Sequence, residues 1–181
     1  MLRRMIRSKL DQFENEWDYS MDYMREVLDV GPLAVKRFYD AARLDTYARG
    51  VSSHGVFAAK IRGVMAGDCG PCVQLVVDMA AREGVPPAAL RAIVAGDWEP
   101  LPTDLARCAR FADALAHRRP ELDDLRDQVR ASFGRAGLVT LAYAVMAASL
   151  YPTLKYALGH GQACSKIRIG DLRIAPTGHA A

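Results

Sequence analysis

Apolar residues recur at helical spacing along almost the whole of this chain. One short segment alone, Ile167 to Ile174, alternates as a strand does. A chain with so little strand has no sheet to build on, so its apolar faces must be buried between helices, and the expected fold class is all-α. Phe13, Trp17, Met21, Met24 and Leu28 mark one apolar stripe, within which Ser20 is placed to restart the helix. Gly31-Pro32 ends that segment and starts the next, where Phe38 and Ala42 share a face. Ser52-Ser53 is placed to cap a helix reaching about Ala66, Gly67-Asp68 breaks it, and another helix runs from Cys69 to about Glu83. Gly84-Val85-Pro86-Pro87 turns into a short helix stopped by Gly96. Thr103 is placed to cap a helix carrying Leu105, Cys108, Ala112 and Leu115. A further helix spans about Leu122 to Phe133, and Gly137 precedes the last long one.

The chain has 181 residues, enough for one domain with a sizeable core. No linker, low-complexity run or repeat divides it. The expected organisation is a helical extension over residues 1–50 that wraps the rest, a helical domain over 51–165, and a tail over 166–181. With 24 basic and 21 acidic residues and a net charge of +3, neither nucleic acid nor an acidic membrane surface is an expected partner. The segment from Leu138 to Tyr151 is uncharged, but Pro152 and Lys155 cut it short of a bilayer-spanning length. It reads as a buried helix or a contact between copies. Together with the aromatic stripe near the N-terminus it exceeds what one small helical domain readily buries, so an obligate homo-oligomer is expected. The basic start, Met1 to Lys9, is followed at once by Asp11, Glu14, Glu16 and Asp18 rather than by an apolar run. No secretory signal is expected there, and the acidic residues argue against the alternative of an organelle presequence. Four cysteines, two of them scattered, suit a reducing compartment, and the expected location is cytoplasmic.

Chemistry concentrates at Cys69-Gly70-Pro71-Cys72. Two thiols flank a Gly-Pro turn, and an apolar helical run follows (Val73, Val76, Val77, Ala80). Proline suits a first helical turn, so both cysteines lie at a helix start, where unpaired N–H groups and the helix dipole favour a thiolate. Asp68 is placed to cap that helix, yet its charge opposes a neighbouring thiolate. Three readings compete: a structural zinc pair, two packed thiols without chemistry, and a redox dithiol. Zinc requires four ligands, and neither Cys108, Cys164 nor the four histidines (His54, His117, His160, His179) supply a second pair at ligand spacing. His160 near Cys164 resembles a metal or redox pair on weak grounds. Cys108 falls on an apolar face and is expected to be a buried, inert thiol.

The segment Ala58 to Ala80, read as helix, break, dithiol and helix around Asp68-Cys69-Gly70-Pro71-Cys72, resembles the alkylhydroperoxidase D and carboxymuconolactone decarboxylase superfamily. The turn at Gly84-Val85-Pro86-Pro87 and the segment Ala92 to Asp97 sit where members of that family turn. Tyr151-Pro-Thr-Leu-Lys-Tyr-Ala-Leu-Gly-His160 is similar to a less characterised branch with the same dithiol core. The resemblance covers about residues 50 to 165. It implies a compact, oligomerising helical domain and, in the redox members, reduction of peroxides or disulfides at the dithiol. Carried over by position, Cys69 and Cys72 match the two redox cysteines.

The family's proton relay is not matched. Its glutamate position, twelve before the first cysteine, is Phe57, and its histidine position, four after the second, is Val76. Neither transfers protons. Candidates to supply the missing base are His54, Lys60, Asp68 and Gln74, each with an ordinary capping, solvated or surface role as the alternative; Asp78 is a further polar group on the dithiol helix. The leading expectation is a thiol–disulfide oxidoreductase and weak hydroperoxide reductase. Disulfide exchange should be measurable and peroxide turnover slow unless Lys60 or His54 compensates. No bound cofactor and no metal are implied, and reducing equivalents come from a partner. Two alternatives stand beside it: a non-enzymatic helical oligomer with a structural or sensing dithiol, and a non-redox enzyme acting on a small lactone-like molecule.

Overall fold

The structure is a computed structural model and describes residues 1–163 and 166–175. It is mostly helical, with eight α-helices and one two-stranded hairpin among the described residues. Helix α1 (Leu2–Trp17) ends on Asp18 in the left-handed region, φ 49°. Helix α2 (Asp22–Val30) restarts behind Ser20, whose Oγ accepts from the Asp22 N–H. Arg25 pins the two together by pairing with Asp11, Asp22 and Glu14. That pairing holds the Glu14 carboxyl below the usual carboxylate range. Gly31 separates α2 from α3 (Pro32–Ala42), with Pro32 at its first position, and a 3₁₀ turn, Arg43–Thr46, follows.

Helix α4 (Ser53–Met65) is the hub. Ser52 caps it, its Oγ accepting from the Gly55 N–H at 3.2 Å. It packs against α5 (Gly70–Arg82), α6 (Pro87–Ala95), α7 (Thr103–His117) and α8 (Leu122–Ala157). Its apolar pattern runs nearly all round, because both of its faces are covered. Polar Arg62 is nevertheless fully buried there. Its Nε donates to Asp113 at 3.0 Å and its Nη1 to the Ile93 carbonyl at 3.1 Å, joining α4 to α7 and α6. Removing one partner of such a buried pair typically costs about 3–5 kcal/mol.

Two expectations need correction, at Thr103 and at Pro152. Thr103 does not cap α7: Pro102 stands at the cap position without a side-chain bond, and Thr103 is the first helical residue. The two last expected helices are both present: α8 consists of two helical segments, the first ending at Phe133 as expected, joined across Gly134, whose backbone (φ 69°, ψ −175°) is not helical. Pro152 and Lys155 do not shorten it; the helix continues to Ala157. By length and composition α8 is therefore long and apolar enough to cross a membrane, with a window of mean hydropathy 1.4. Here Leu141, Ala144 and Val145 are buried in one cluster with Phe111 and Ala112 of α7 and Val56 and Ala59 of α4, which is the packing of a core helix.

The alternating segment near the C-terminus is a hairpin, β1 (Ile167–Ile169) and β2 (Leu172–Ile174), turning through Gly170 at φ 61°. Ile167 and Ile169 are buried in the same cluster as Cys69 and Cys72, so these residues belong to the packed body rather than to a loose tail. The N-terminal helices pack onto α5 and the end of α8. Leu10, Tyr19, Tyr23, Met24 and Leu28 are buried against Leu75 of α5 and Tyr151, Leu154 and Leu158 in and just after α8. Much of the apolar surface expected to lie between copies is thus covered within one chain.

Candidate functional site

The turn carrying the dithiol is fixed from three directions. Helix α4 ends, Gly67 and Asp68 follow, and α5 begins with Cys69 at its cap, Pro71 in its first turn and Cys72 one residue later. Gly67 lies against Pro152 of α8 so closely that a Cβ there would stand 2.5 Å from the ring Cγ. Asp68 takes φ 44°, a left-handed conformation uncommon outside glycine. Its carbonyl accepts from the Tyr156 hydroxyl at 2.7 Å. The Gly70 N–H donates to the Gln162 carbonyl at 3.0 Å. Asp68 precedes the cap position, which Cys69 itself occupies without a side-chain capping bond.

The sulfurs of Cys69 and Cys72 are at disulfide-bonding distance, with the Cα atoms 5.2 Å apart. Both residues are buried, at 0% and 2% exposure. Among the described residues no cluster of metal-ligating side chains forms around them or elsewhere. Cys108 is a free, buried thiol, and burial pushes its pKa up to about 12. Cys164 and His179 lie outside the described residues, so the pairing of His160 with Cys164 does too. His160 itself meets Glu26 at 2.9 Å.

Cys72 lines a cavity of about 210 Å³ walled by aromatic and aliphatic side chains, among them Phe13, Tyr19, Tyr39 and Tyr151. Phe57 and Val76, where the resemblance would place a proton relay, line it too and are apolar. Of the candidate bases, Lys60 does reach this cavity. It is not a solvated side chain: its Nζ pairs with Asp45 at 2.7 Å and lies over the Phe57 ring. His54 sits in the first turn of α4, whereas the dithiol follows the last. His54 stands eleven positions before Met65 in α4, roughly 16 Å of rise. Gln74 is committed to structure: its amide nitrogen donates to Asp78 at 2.9 Å and to the Arg168 carbonyl at 3.0 Å, and its oxygen accepts from the Arg168 N–H at 2.8 Å. It staples β1 to α5. Burial raises the Asp78 carboxyl above its ordinary value.

Two groups that the sequence did not single out stand beside the sulfur instead. The Tyr19 hydroxyl lies 3.5 Å from Cys72 Sγ, and Lys155 Nζ donates to that hydroxyl at 3.5 Å. Both side chains are buried, each at 4% exposure. Burial raises the Tyr19 phenol to about 12 and lowers the Lys155 ammonium from its ordinary value. The Lys155 ammonium also faces the Tyr19 and Tyr23 rings, at 4.6 and 5.3 Å from their centroids. A signal for Lys155 was present: it lies inside the Tyr151–His160 motif, which supplies Pro152 against Gly67, Lys155 behind Tyr19, and Tyr156 on Asp68. Tyr19 carried no comparable signal.

On its other side Tyr19 faces a second, polar cleft of about 490 Å³, lined also by Lys155, Asp22, Asp78, His160 and Arg168. Tyr19 thus separates an apolar cavity that reaches the sulfur from a polar cleft that reaches the lysine. No family model, no curated protein and no solved structure matches this chain.

Proposed function

We propose that this chain is a thiol–disulfide oxidoreductase with weak hydroperoxide reductase activity, cycling Cys69 and Cys72 between dithiol and disulfide. The observation that carries the reading is the position of Cys72. Its sulfur lines an apolar cavity, stands in the first turn of α5, and has Cys69 at bonding distance. A helix start favours the thiolate that such chemistry uses. The reduced Cys72 thiolate attacks a peroxide or a partner disulfide, and Cys69 then resolves the sulfenic acid or mixed disulfide. A partner thiol returns the pair to the dithiol. The resemblance to the alkylhydroperoxidase D superfamily supports the reading through the Asp68-Cys69-Gly70-Pro71-Cys72 core and its flanking helices.

A homo-oligomer in the cytoplasm fits this reading. Apolar surface for self-association is offered by the N-terminal helices, where Leu2, Met5, Val30 and Leu33 are all more than half exposed, and by α8, where Met146 is too. The burial of both sulfurs favours a second reading, in which the dithiol is structural or sensing and turns nothing over.

Steady-state turnover separates the two. The full chain is assayed with a small disulfide and with an alkyl hydroperoxide, each with an external dithiol as reductant, beside Cys69→Ser and Cys72→Ser. The oxidoreductase reading expects turnover of the disulfide that both substitutions abolish. No turnover, or turnover that survives Cys72→Ser, removes it.

A further inference from the structure

Lys155 is the unusual group in this fold: an ammonium 4% exposed, without a carboxylate ion pair among the described residues. The acidic groups of the cleft it faces are engaged elsewhere, Asp22 with Arg25 and Asp78 with Gln74. The other titratable or charged groups lining that cleft are Tyr23 of α2, Asp18 before it, His160 after α8 and Arg168 of β1. A buried ammonium with no carboxylate in contact is costly, and Asp22 offsets that cost only in part. This one is aimed at a phenol that in turn touches the sulfur of the dithiol.

We propose that Tyr19, backed by Lys155, serves Cys72 both as the hydrogen-bond donor that holds its thiolate and as the acid that protonates the oxygen leaving during peroxide cleavage. The proposal rests on the redox reading of Cys69 and Cys72 and replaces the relay that Phe57 and Val76 cannot form. Tyr19 is the catalytic residue, since it contacts the reacting sulfur. Lys155 is a positioning residue that acts through Tyr19.

The Cys72 thiolate attacks the hydroxyl-bearing oxygen of an alkyl hydroperoxide in the apolar cavity. A sulfur–oxygen bond forms, the O–O bond breaks, and the electron pair leaves on the alkoxide. Tyr19 transfers its proton to the alkoxide, giving the alcohol. The Lys155 ammonium restores the phenol and regains a proton from solvent in the polar cleft. The Cys69 thiolate then attacks the Cys72 sulfenic acid, forming the disulfide; the departing hydroxide takes up a proton to become water. The peroxide is reduced by two electrons and the dithiol oxidised by two, and an external dithiol reverses the latter. Each proton moves downhill in acidity: from an ammonium held below its ordinary value, to a phenol at about 12, to a more basic alkoxide. Tyr19 can serve both compartments because it lines both the cavity and the cleft.

The test is single-turnover oxidation of the pre-reduced full chain by tert-butyl hydroperoxide, followed across pH. Wild type is compared with Tyr19→Phe, which keeps the ring, and with Lys155→Met. Thiolate absorbance is titrated in each. A positioned acid contributes about 10²–10⁴-fold. Tyr19→Phe is therefore expected to slow oxidation by at least about 10²-fold and to raise the Cys72 thiol pKa. Lys155→Met is expected to remove the alkaline fall of the wild-type pH–rate profile, where the lysine loses its proton, and so remains testable if Tyr19→Phe does not fold. Folded Tyr19→Phe that reacts within twofold of wild type, or Lys155→Met with an unchanged profile, overturns the proposal while leaving the dithiol cycle standing. Wild type that forms no 69–72 disulfide overturns both.

Discussion

The Tyr19 hydroxyl lies 3.5 Å from the Cys72 sulfur although 53 positions of sequence separate them. This contact makes the N-terminal helices part of the dithiol site rather than an appendage. The same aromatic stripe that packs α1 and α2 onto α5 and α8 delivers the phenol to the sulfur.

Lys155 should reduce stability while it supports chemistry. Burial lowers its pKa from 10.5. Between the folded value and 10.5 the unfolded chain binds more protons than the native one, so this group makes stability rise with pH through that window. Below the folded value the penalty of the buried charge is fully present. Chemical denaturation of the oxidised protein should therefore show Lys155→Met at least as stable as wild type at pH 7, with the difference shrinking as pH approaches 10.5. A large loss of stability in Lys155→Met at neutral pH would mean that the lysine holds the fold together.

Cys108 should be silent in the native state. It is buried, and burial pushes its pKa up to about 12, so almost no thiolate exists at neutral pH. Mass mapping after alkylation of the native protein at pH 8 should leave Cys108 unlabelled, and denaturant should expose it. Rapid native labelling would contradict its burial on the face of α7 that packs against α4.

Gly67→Ala should damage both fold and site. The new methyl would meet the rigid Pro152 ring at 2.5–2.6 Å, and relief requires the dithiol turn to move away from α8. Overpacking of this kind costs about 1–3 kcal/mol. Thermal unfolding should show the loss, and disulfide turnover should fall with it because Tyr156 and Lys155 are carried on the same helix. A variant with unchanged stability would show that the turn is looser than this contact implies.

What the sequence revealed follows from how local each signal is. The helix starts at Ser52 and Pro32, the stop at Gly96 and the break at Gly67-Asp68 are set by neighbouring residues and were legible. The helix end at Phe133 was legible too, because Gly134 beside it takes a conformation open to glycine; the missing side-chain cap of α7 at Thr103 was not. Cys69 and Cys72 announced themselves by spacing. Lys60 gave no sign of its pairing with Asp45, and Gln74 none of its bonds to β1, since both depend on distant chain. Nothing local marks Tyr19, whose hydroxyl meets the sulfur across 53 positions of sequence.

The central claim is that Cys69 and Cys72 form a reversible redox pair, and an equilibrium titration tests it most directly. The native full chain is equilibrated across ratios of reduced to oxidised dithiothreitol, quenched by alkylation and mapped by mass. The account predicts a single two-electron transition, with a bridge between residues 69 and 72 that opens and closes without unfolding and is absent in Cys72→Ser. Free thiols at both positions under every ratio, or a bridge that resists reduction until the protein unfolds, would contradict it.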